Sequence, residues 1–307
     1  MFYYRLYGFT MESDMEIFPL VKENNPDSGR PRIQVITEKS PAFFDTIRTE
    51  GKPPYEFGTE LSYLENKTLK MVVEQGSRIR IFLKEGAVLQ YVRTYLLGFG
   101  MSMLAMQRGM TAIHCSAAEK NGIAVLIAGE SGAGKSTVTS YFLKKGYHLM
   151  ADDCAVLEPT DDGVLVWPAF PYTKACRNEL EKSGCPAEEA IYIDEQKDKF
   201  MIPYRGDFST EAKRYGGFLW LAAAESGQPQ AKEISGVEKF FMCSENLFLR
   251  HLLREKKYAP AIGERCLKIA AAAPMGAYVR AFSETPAEET AEAVYGFAEK
   301  LFFGERK

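Results

Sequence analysis

The stretch Gly129-Glu130-Ser131-Gly132-Ala133-Gly134-Lys135-Ser136-Thr137 decides how the rest of the chain is read. Its spacing satisfies G-x-x-x-x-G-K-[ST], with Gly129, Gly134, Lys135 and Ser136 at the fixed positions. Residues 123–128 before it form a short, continuous apolar run suited to a buried parallel strand. Residues 135–145 after it can form an amphipathic helix. Glycines let backbone amides approach an anion with no Cβ in the way. The helix start directs free N–H groups and its positive dipole end at the same point. Lys135 then reaches the β- and γ-phosphates of a nucleotide, and the Ser136 hydroxyl can coordinate magnesium. Glu130, Ser131, Gly132 and Ala133 complete the nucleotide-binding set, with Thr137 assisting nucleotide or helix N-terminal contacts. The alternative, a chance glycine-rich turn, is disfavoured by the strand and helix on either side.

Working outward, residues 148–151 begin the next strand, and 155–157 continue its apolar character beyond two aspartates, Asp152 and Asp153. If helix and strand close a tight β-α-β unit, both carboxylates emerge at the strand's C-terminal end, where open α/β sheets bind ligands. Successive residues of an extended chain point to opposite sides, so the two side chains can divide the work. One can hold a magnesium-bound water while the other accepts a proton from an acceptor hydroxyl. Two such carboxylates raise one another's proton affinity unless a metal offsets it. A polar strand end is the plainer alternative.

Strand, loop, helix, strand from residue 113 onward implies an α/β domain with a largely parallel sheet. Upstream, residues 3–9, 33–37, 69–73 and 78–83 carry the β-branched and aromatic bias of strands, separated by turn-rich stretches at 24–31 and 51–54. Residues 87–107 switch to helical spacing through Leu89, Val92, Leu96 and Leu97, weakened locally by Gly98 and Gly100. The expected organisation is a β-rich N-terminal region, 1–86, and a core, 87–307, with a strand at 217–224 and helices at 244–255 and 286–302.

Composition bounds the function. The 307 residues are 46% hydrophobic, with 20 Phe and 16 Tyr, which suffices for a substantial core. Charged residues make up 26%, near the globular average, which argues against global disorder. A formal net charge of −3 argues against a dedicated nucleic-acid partner; the basic run 254–257 reads as a solvated helix face. The six cysteines include no CxxC pair, so reduced thiols are expected rather than zinc or a disulfide framework. The N-terminus lacks a basic segment followed by a long apolar one. The most apolar run, 95–106, falls short of the roughly 20 residues that span a bilayer. A cytoplasmic protein with no membrane partner is expected.

Ile113-His114, the loop, and KKGYHLMADD at 144–153 together resemble the catalytic domain of HPr kinase/phosphorylase. That domain carries a histidine, a phosphate loop and an RGHRLVADD-like segment at matching intervals. The resemblance, over about residues 110–157, implies an α/β P-loop kinase core related to phosphoenolpyruvate carboxykinase, with ATP and Mg2+ as cofactors. It implies Lys135 as the phosphate-binding lysine, Ser136 as a magnesium ligand, Asp153 as catalytic base and Asp152 as its metal-side neighbour. His114 falls at the family's functional histidine, although the residues alone also allow a satisfied core histidine. The RGLGI-type segment of the bifunctional enzymes is missing, so neither phosphorylase activity nor HPr as substrate follows. Beyond the core, YYRLYGFTMESDMEIFPL at 3–20, IHCSA at 113–117 and FPYTK at 170–174 resemble the HPr-kinase-like proteins of lasso peptide biosynthetic clusters. That resemblance implies transfer to the C-terminal serine hydroxyl of a precursor peptide, with a homo-oligomer left open.

Tyr172, Lys174 and Arg177 are expected in a loop, 168–178, that could bind an acceptor or neutralise charge. Lys199, Arg205 and Arg214 could supply a phosphate clamp; for each, an ordinary surface position is the alternative. Two other functions compete: a kinase of a small metabolite, and a nucleotide-dependent regulatory or transport ATPase. The second is disfavoured by the lack of an LSGGQ-like or NKxD motif. The N-terminal strands could offer an edge to an extended peptide, a feature that suggests a peptide acceptor without deciding between peptide and metabolite.

Overall fold

The computed structural model describes residues 1–25, 27–186, 188–194, 198–224, 227–281 and 286–304. The chain divides into two compact units, each assembled from separated segments: Met1–Ala112, Phe170–Tyr204 and Phe248–Lys256 in one, Ile113–Ala169, Arg205–Leu247 and Lys257–Lys307 in the other. The first unit thus takes in the helical run 89–107 and two later segments, which the sequence groups with the core.

In the first unit, Phe2–Leu6 and Phe9–Ser13 form an antiparallel hairpin. The continuous strand expected at 3–9 is therefore broken, because Tyr7 and Gly8 both turn at positive φ, 50° and 79°. Phe9–Ser13, Arg32–Glu38 and Arg78–Leu83 run parallel to one another. Leu69–Glu74 and Leu61–Glu65 extend the sheet antiparallel. The expected helix spans Leu89–Tyr95 and Met101–Gln107, joined through a π-helical turn, Leu96–Gly100, that contains both glycines. The loop expected at 168–178 is instead a strand, Tyr172–Cys176, paired with Lys199–Pro203, followed by a short helix, Arg177–Ser183.

The second unit is built on a mixed sheet. Its elements are β1 (Ser116–Lys120), β2 (Ile123–Gly129), α1 (Lys135–Lys144), β3 (His148–Ala151), β4 (Ala155–Thr160), β5 (Gly163–Trp167), β6 (Lys213–Ala224), β7 (Gln230–Ile234), α2 (Val237–Glu245), α3 (Pro260–Ala272), β8 (Met275–Ala281) and α4 (Ala287–Phe303). The order is β3-β1-β2-β6-β5-β4, with β8 beside β6 and β7 beside β8. Only β2 with β6, and β6 with β8, pair in parallel among these neighbours. The sheet is therefore mixed, not largely parallel. The reason is legible in hindsight: Asn121-Gly122 joins β1 and β2 in a two-residue hairpin, and this hairpin inserts β1 between β2 and β3.

One face of the sheet is covered by α1 and α4. Val125, Ile127, Leu219 and Leu221 meet Val138 and Phe142 of α1 and Val294 and Ala298 of α4, all nearly inaccessible. Phe142 stacks edge-on against Tyr147 and Tyr295, each ring centroid 5.1 Å away. The Tyr147 hydroxyl donates to Glu299 at 2.6 Å, tying the turn after α1 to α4. The final helix matches the sequence expectation to within a residue. The helix expected at 244–255 is instead broken: α2 ends at Glu245, Leu247 forms a β-bridge with Ile113, and a short helix resumes only at Arg250–Leu253. Four of the six free cysteines are buried, Cys115, Cys154, Cys243 and Cys266. No helix among the described residues is long and apolar enough to cross a membrane.

Candidate functional site

β1 runs antiparallel to both β2 and β3, so β2 and β3 point the same way and end at one edge of the sheet, where β1 begins. β6 and β8 run parallel to β2 and reach that same edge. The register places Gly129 beside Leu221, and Leu221 beside Tyr278. Four chain segments thus converge on one edge: the loop after β2, the aspartates after β3, His114 to Ser116 entering β1, and Arg280 near the end of β8.

Each segment has a local cause. At Gly129 a Cβ would lie 2.5 Å from the Leu221 carbonyl oxygen, so only glycine lets β2 stay paired with β6 as it turns into the loop. The Glu130 amide then donates to the Leu221 carbonyl at 3.1 Å, and the Ala133 amide to the Glu130 carbonyl at 3.1 Å. Gly134 has φ +98° and opens α1. A side chain at that φ is strained. Lys135 is half-buried, whereas Ser131, Gly132, Ser136 and Thr137 are exposed. The first amides of α1 have no acceptor one turn earlier within the helix.

Asp152 and Asp153 follow β3 directly. Ser116, fully buried, donates its hydroxyl to Asp152 Oδ1 at 2.5 Å. Asp153 sits in the left-handed region at φ +73°, where aspartate is tolerated better than most residues. Its carbonyl accepts a hydrogen bond of 2.8 Å from His114 Nδ1. A carbonyl can only accept, so Nδ1 carries the proton. The same nitrogen lies 3.7 Å from Asp153 Oδ1. The His114 side chain is 49% exposed, so it is no core histidine. Its backbone amide is anchored by the Asn246 carbonyl at 2.7 Å, next to the Leu247 bridge.

Burial pushes the Cys115 thiol well above its ordinary range; the Lys135 charge opposes this, and the Asp152 charge adds to it.

Two residues on this edge escaped the sequence reading. Arg280 donates from Nη2 to the Gly132 carbonyl at 2.7 Å and from Nε to the Ala133 carbonyl at 3.2 Å. No local signal marks it, because 148 residues separate it from the loop. The role of Ser116 depends on the β1–β2 hairpin, for which Asn121-Gly122 was an available signal. Arg214 moves the other way: it pairs with Ile123, at the opposite end of β2 from the loop. Arg205 belongs to the second unit. Tyr172, Lys174 and Lys199 lie on the paired strands of the first unit, and Arg177 is held by Asp198 through Nε at 2.6 Å and Nη2 at 2.7 Å.

No family model matches the chain. It is 44% identical over 59 residues to an HPr kinase/phosphorylase from a Geobacillus species, a match covering 19% of each protein. A longer match, 27% identical over 146 residues, covers 44% of the chain and 45% of the HPr kinase/phosphorylase from Bacillus mycoides. The chain thus matches less than half the length of these curated relatives. Among solved structures, the HPr(Ser) kinase/phosphatase from Coxiella burnetii aligns over 62% of this chain and 88% of its own, at 12% identity and a TM-score of 0.31. Those last values are too low to argue a shared overall fold.

Proposed function

We propose that this chain is an ATP-dependent serine kinase of HPr kinase/phosphorylase type, acting on a peptide, with the C-terminal serine of a lasso peptide precursor as the acceptor. The observation that carries this reading is the convergence of the G-x-x-x-x-G-K-S loop and the aspartate pair on one sheet edge, set by the register of β1 with β2 and β3. The sequence likeness to HPr kinase/phosphorylases supports the reaction class. The flanking motifs at 3–20 and 170–174 support the peptide acceptor.

The residues fit a magnesium nucleotide. A Cβ at Gly132 would meet nothing within 4 Å, and Gly134 opens the helix beside it, which leaves the loop backbone accessible to an anion. Among the described residues no group of three or more His, Cys, Asp or Glu is arranged for a metal. A cation here would draw most ligands from phosphate and water, as magnesium prefers, with Ser136 and Asp152 contributing from the protein. When bound, magnesium supplies neutralisation of charge on the β- and γ-phosphate oxygens.

Lys135 holds the β- and γ-phosphates, and the amides that open α1, from Gly134 to Thr137, cradle them. Ser116 fixes the Asp152 carboxylate in one orientation. Asp153 takes the proton of the serine hydroxyl as its oxygen bonds to the terminal phosphorus and the bond to ADP breaks. His114 holds the Asp153 backbone through Nδ1. Phosphoryl transfer depends chiefly on such positioning and charge stabilisation.

The test offers γ-labelled ATP and a precursor peptide ending in serine, with the same peptide ending in alanine as control. Label on the serine peptide alone is expected. Equal labelling of both would put the acceptor elsewhere in the peptide. Labelling of neither, with a small hydroxyl metabolite phosphorylated instead, would replace the peptide with a metabolite acceptor.

A further inference from the structure

We propose that Arg280 is a positioning residue that holds the phosphate loop in its anion-binding conformation before nucleotide arrives. This rests on the nucleotide reading above and adds to it a residue outside the motif. Arg280 reaches the loop because β8 runs parallel to β6 and β6 to β2, a register that aligns Gly129, Leu221 and Tyr278. Its side chain therefore starts just past the level where β2 ends.

The two hydrogen bonds go to successive carbonyls, Gly132 at 2.7 Å and Ala133 at 3.2 Å. A guanidinium is a rigid fork and spans two such acceptors at once; an ammonium on a flexible stem does not. Because a peptide unit is planar and trans, drawing the Ala133 carbonyl toward Arg280 turns the Gly134 N–H to the opposite side. The neighbouring Ala133 N–H is already occupied by the Glu130 carbonyl at 3.1 Å. Arg280 thus sorts the loop: carbonyls inward to the guanidinium, the Gly134 amide away from it.

The loop needs this support. Gly132 and Gly134 sit at φ +81° and +98°, and glycine samples both signs of φ freely. Without Arg280 the nucleotide itself must order these peptide units, and that ordering is subtracted from its binding free energy. The expected signature is a loss of affinity with little loss of turnover, opposite to that of the base.

The experiment compares full-length wild type, Arg280→Lys and Arg280→Ala. ATP with magnesium is titrated by calorimetry, turnover is measured at saturating ATP, and hydrogen exchange of amides 131–134 is followed without nucleotide. Both variants should bind ATP about ten- to a hundredfold more weakly, the worth of a charge-assisted hydrogen bond. Turnover should stay within about threefold, and the loop amides should exchange faster than in wild type. If Arg280→Ala melts early, Arg280→Lys, which keeps stem and charge, carries the comparison. Wild-type affinity and exchange in both variants, with wild type binding ATP normally, would overturn the role of Arg280 and leave the phosphate loop intact. A wild-type protein that binds no ATP would remove the nucleotide reading, and this proposal with it.

Discussion

The two edges of the second unit's sheet are both rich in charge and both turn the chain through positive φ, yet they are built differently. At the edge away from the loop, the Asn121-Gly122 turn has φ of 54° and 81°, a pairing that suits a two-residue hairpin at little cost. There one buried carboxylate gathers the partners. Glu119, 7% exposed, lies 3.5 Å from His148 and 3.9 Å from Lys213, and it accepts the Gly122 amide at 3.1 Å. At the loop edge, the left-handed residue that is not glycine is Asp153, outside any hairpin, and the polar side chains are spent on backbone or on orienting one carboxylate. Arg280 holds two carbonyls, His114 holds the Asp153 carbonyl, and Ser116 holds Asp152. One edge closes a fold; the other keeps specific groups in place. Strain without a local topological need is a better pointer to function than charge density.

The largest effect that separates the edges should come from Asp153→Asn. Asparagine tolerates the left-handed region as aspartate does, so the backbone is kept. Loss of the base should slow transfer about 10² to 10⁴-fold with ATP affinity nearly unchanged, compared by quench-flow and calorimetry. Unchanged transfer would remove Asp153 as base and leave charge stabilisation as the main catalyst. Asp152→Asn should weaken magnesium-nucleotide binding and rate together. Ser116→Ala should move the same two quantities in the same direction by about tenfold, the worth of one hydrogen bond to a charged group. A Ser116→Ala enzyme with wild-type ATP and magnesium dependence would show that Asp152 needs no such support.

The far edge should respond in stability alone. Glu119→Gln leaves the Gly122 amide an acceptor but loses the charge facing His148 and Lys213. Denaturant unfolding should record a loss of about 1–3 kcal/mol, with turnover per folded molecule unchanged. Smaller still, Arg214→Ala should leave transfer at the wild-type rate, since its partner on β2, Ile123, lies six residues from Gly129, about 20 Å at about 3.3 Å each. A large loss of turnover from either substitution would erase the contrast between the edges. The scaffold under both edges has its own check. Phe142→Ala, at a fully buried position between Tyr147 and Tyr295, should cost about 3–5 kcal/mol in thermal or chemical unfolding.

How much of this was legible follows from distance along the chain. The loop, its strand and helix, and the aspartates lie within residues 123–153, and their spacing alone announces them. The mixed sheet was not legible from the apolar runs, because an apolar run does not tell the direction of its neighbours; the Asn121-Gly122 dipeptide is the local signal that carries it. Arg280 could not be found, since only parallel pairing across β6 brings it to Gly132 and Ala133. Arg214, left open between a phosphate clamp and a surface position, is decided the same way: a basic residue on a core strand is placed by register, and register is invisible locally. The early end of α2 reflects a tertiary override, with Asn246 and Leu247 drawn into pairing beside His114.

The central claim is that the Gly129–Thr137 loop is the phosphate-binding half of a phosphoryl-transfer site, and Lys135→Ala tests it most directly. Lys135 is half-buried at the first turn of α1, so its truncation should leave the fold and its melting temperature unchanged. Transfer of label from γ-labelled ATP to the serine-ended peptide should fall at least about a thousandfold, the upper range for removing one charge-stabilising donor, and Ser136→Ala should follow it. Wild-type transfer by a folded Lys135→Ala protein would contradict the claim.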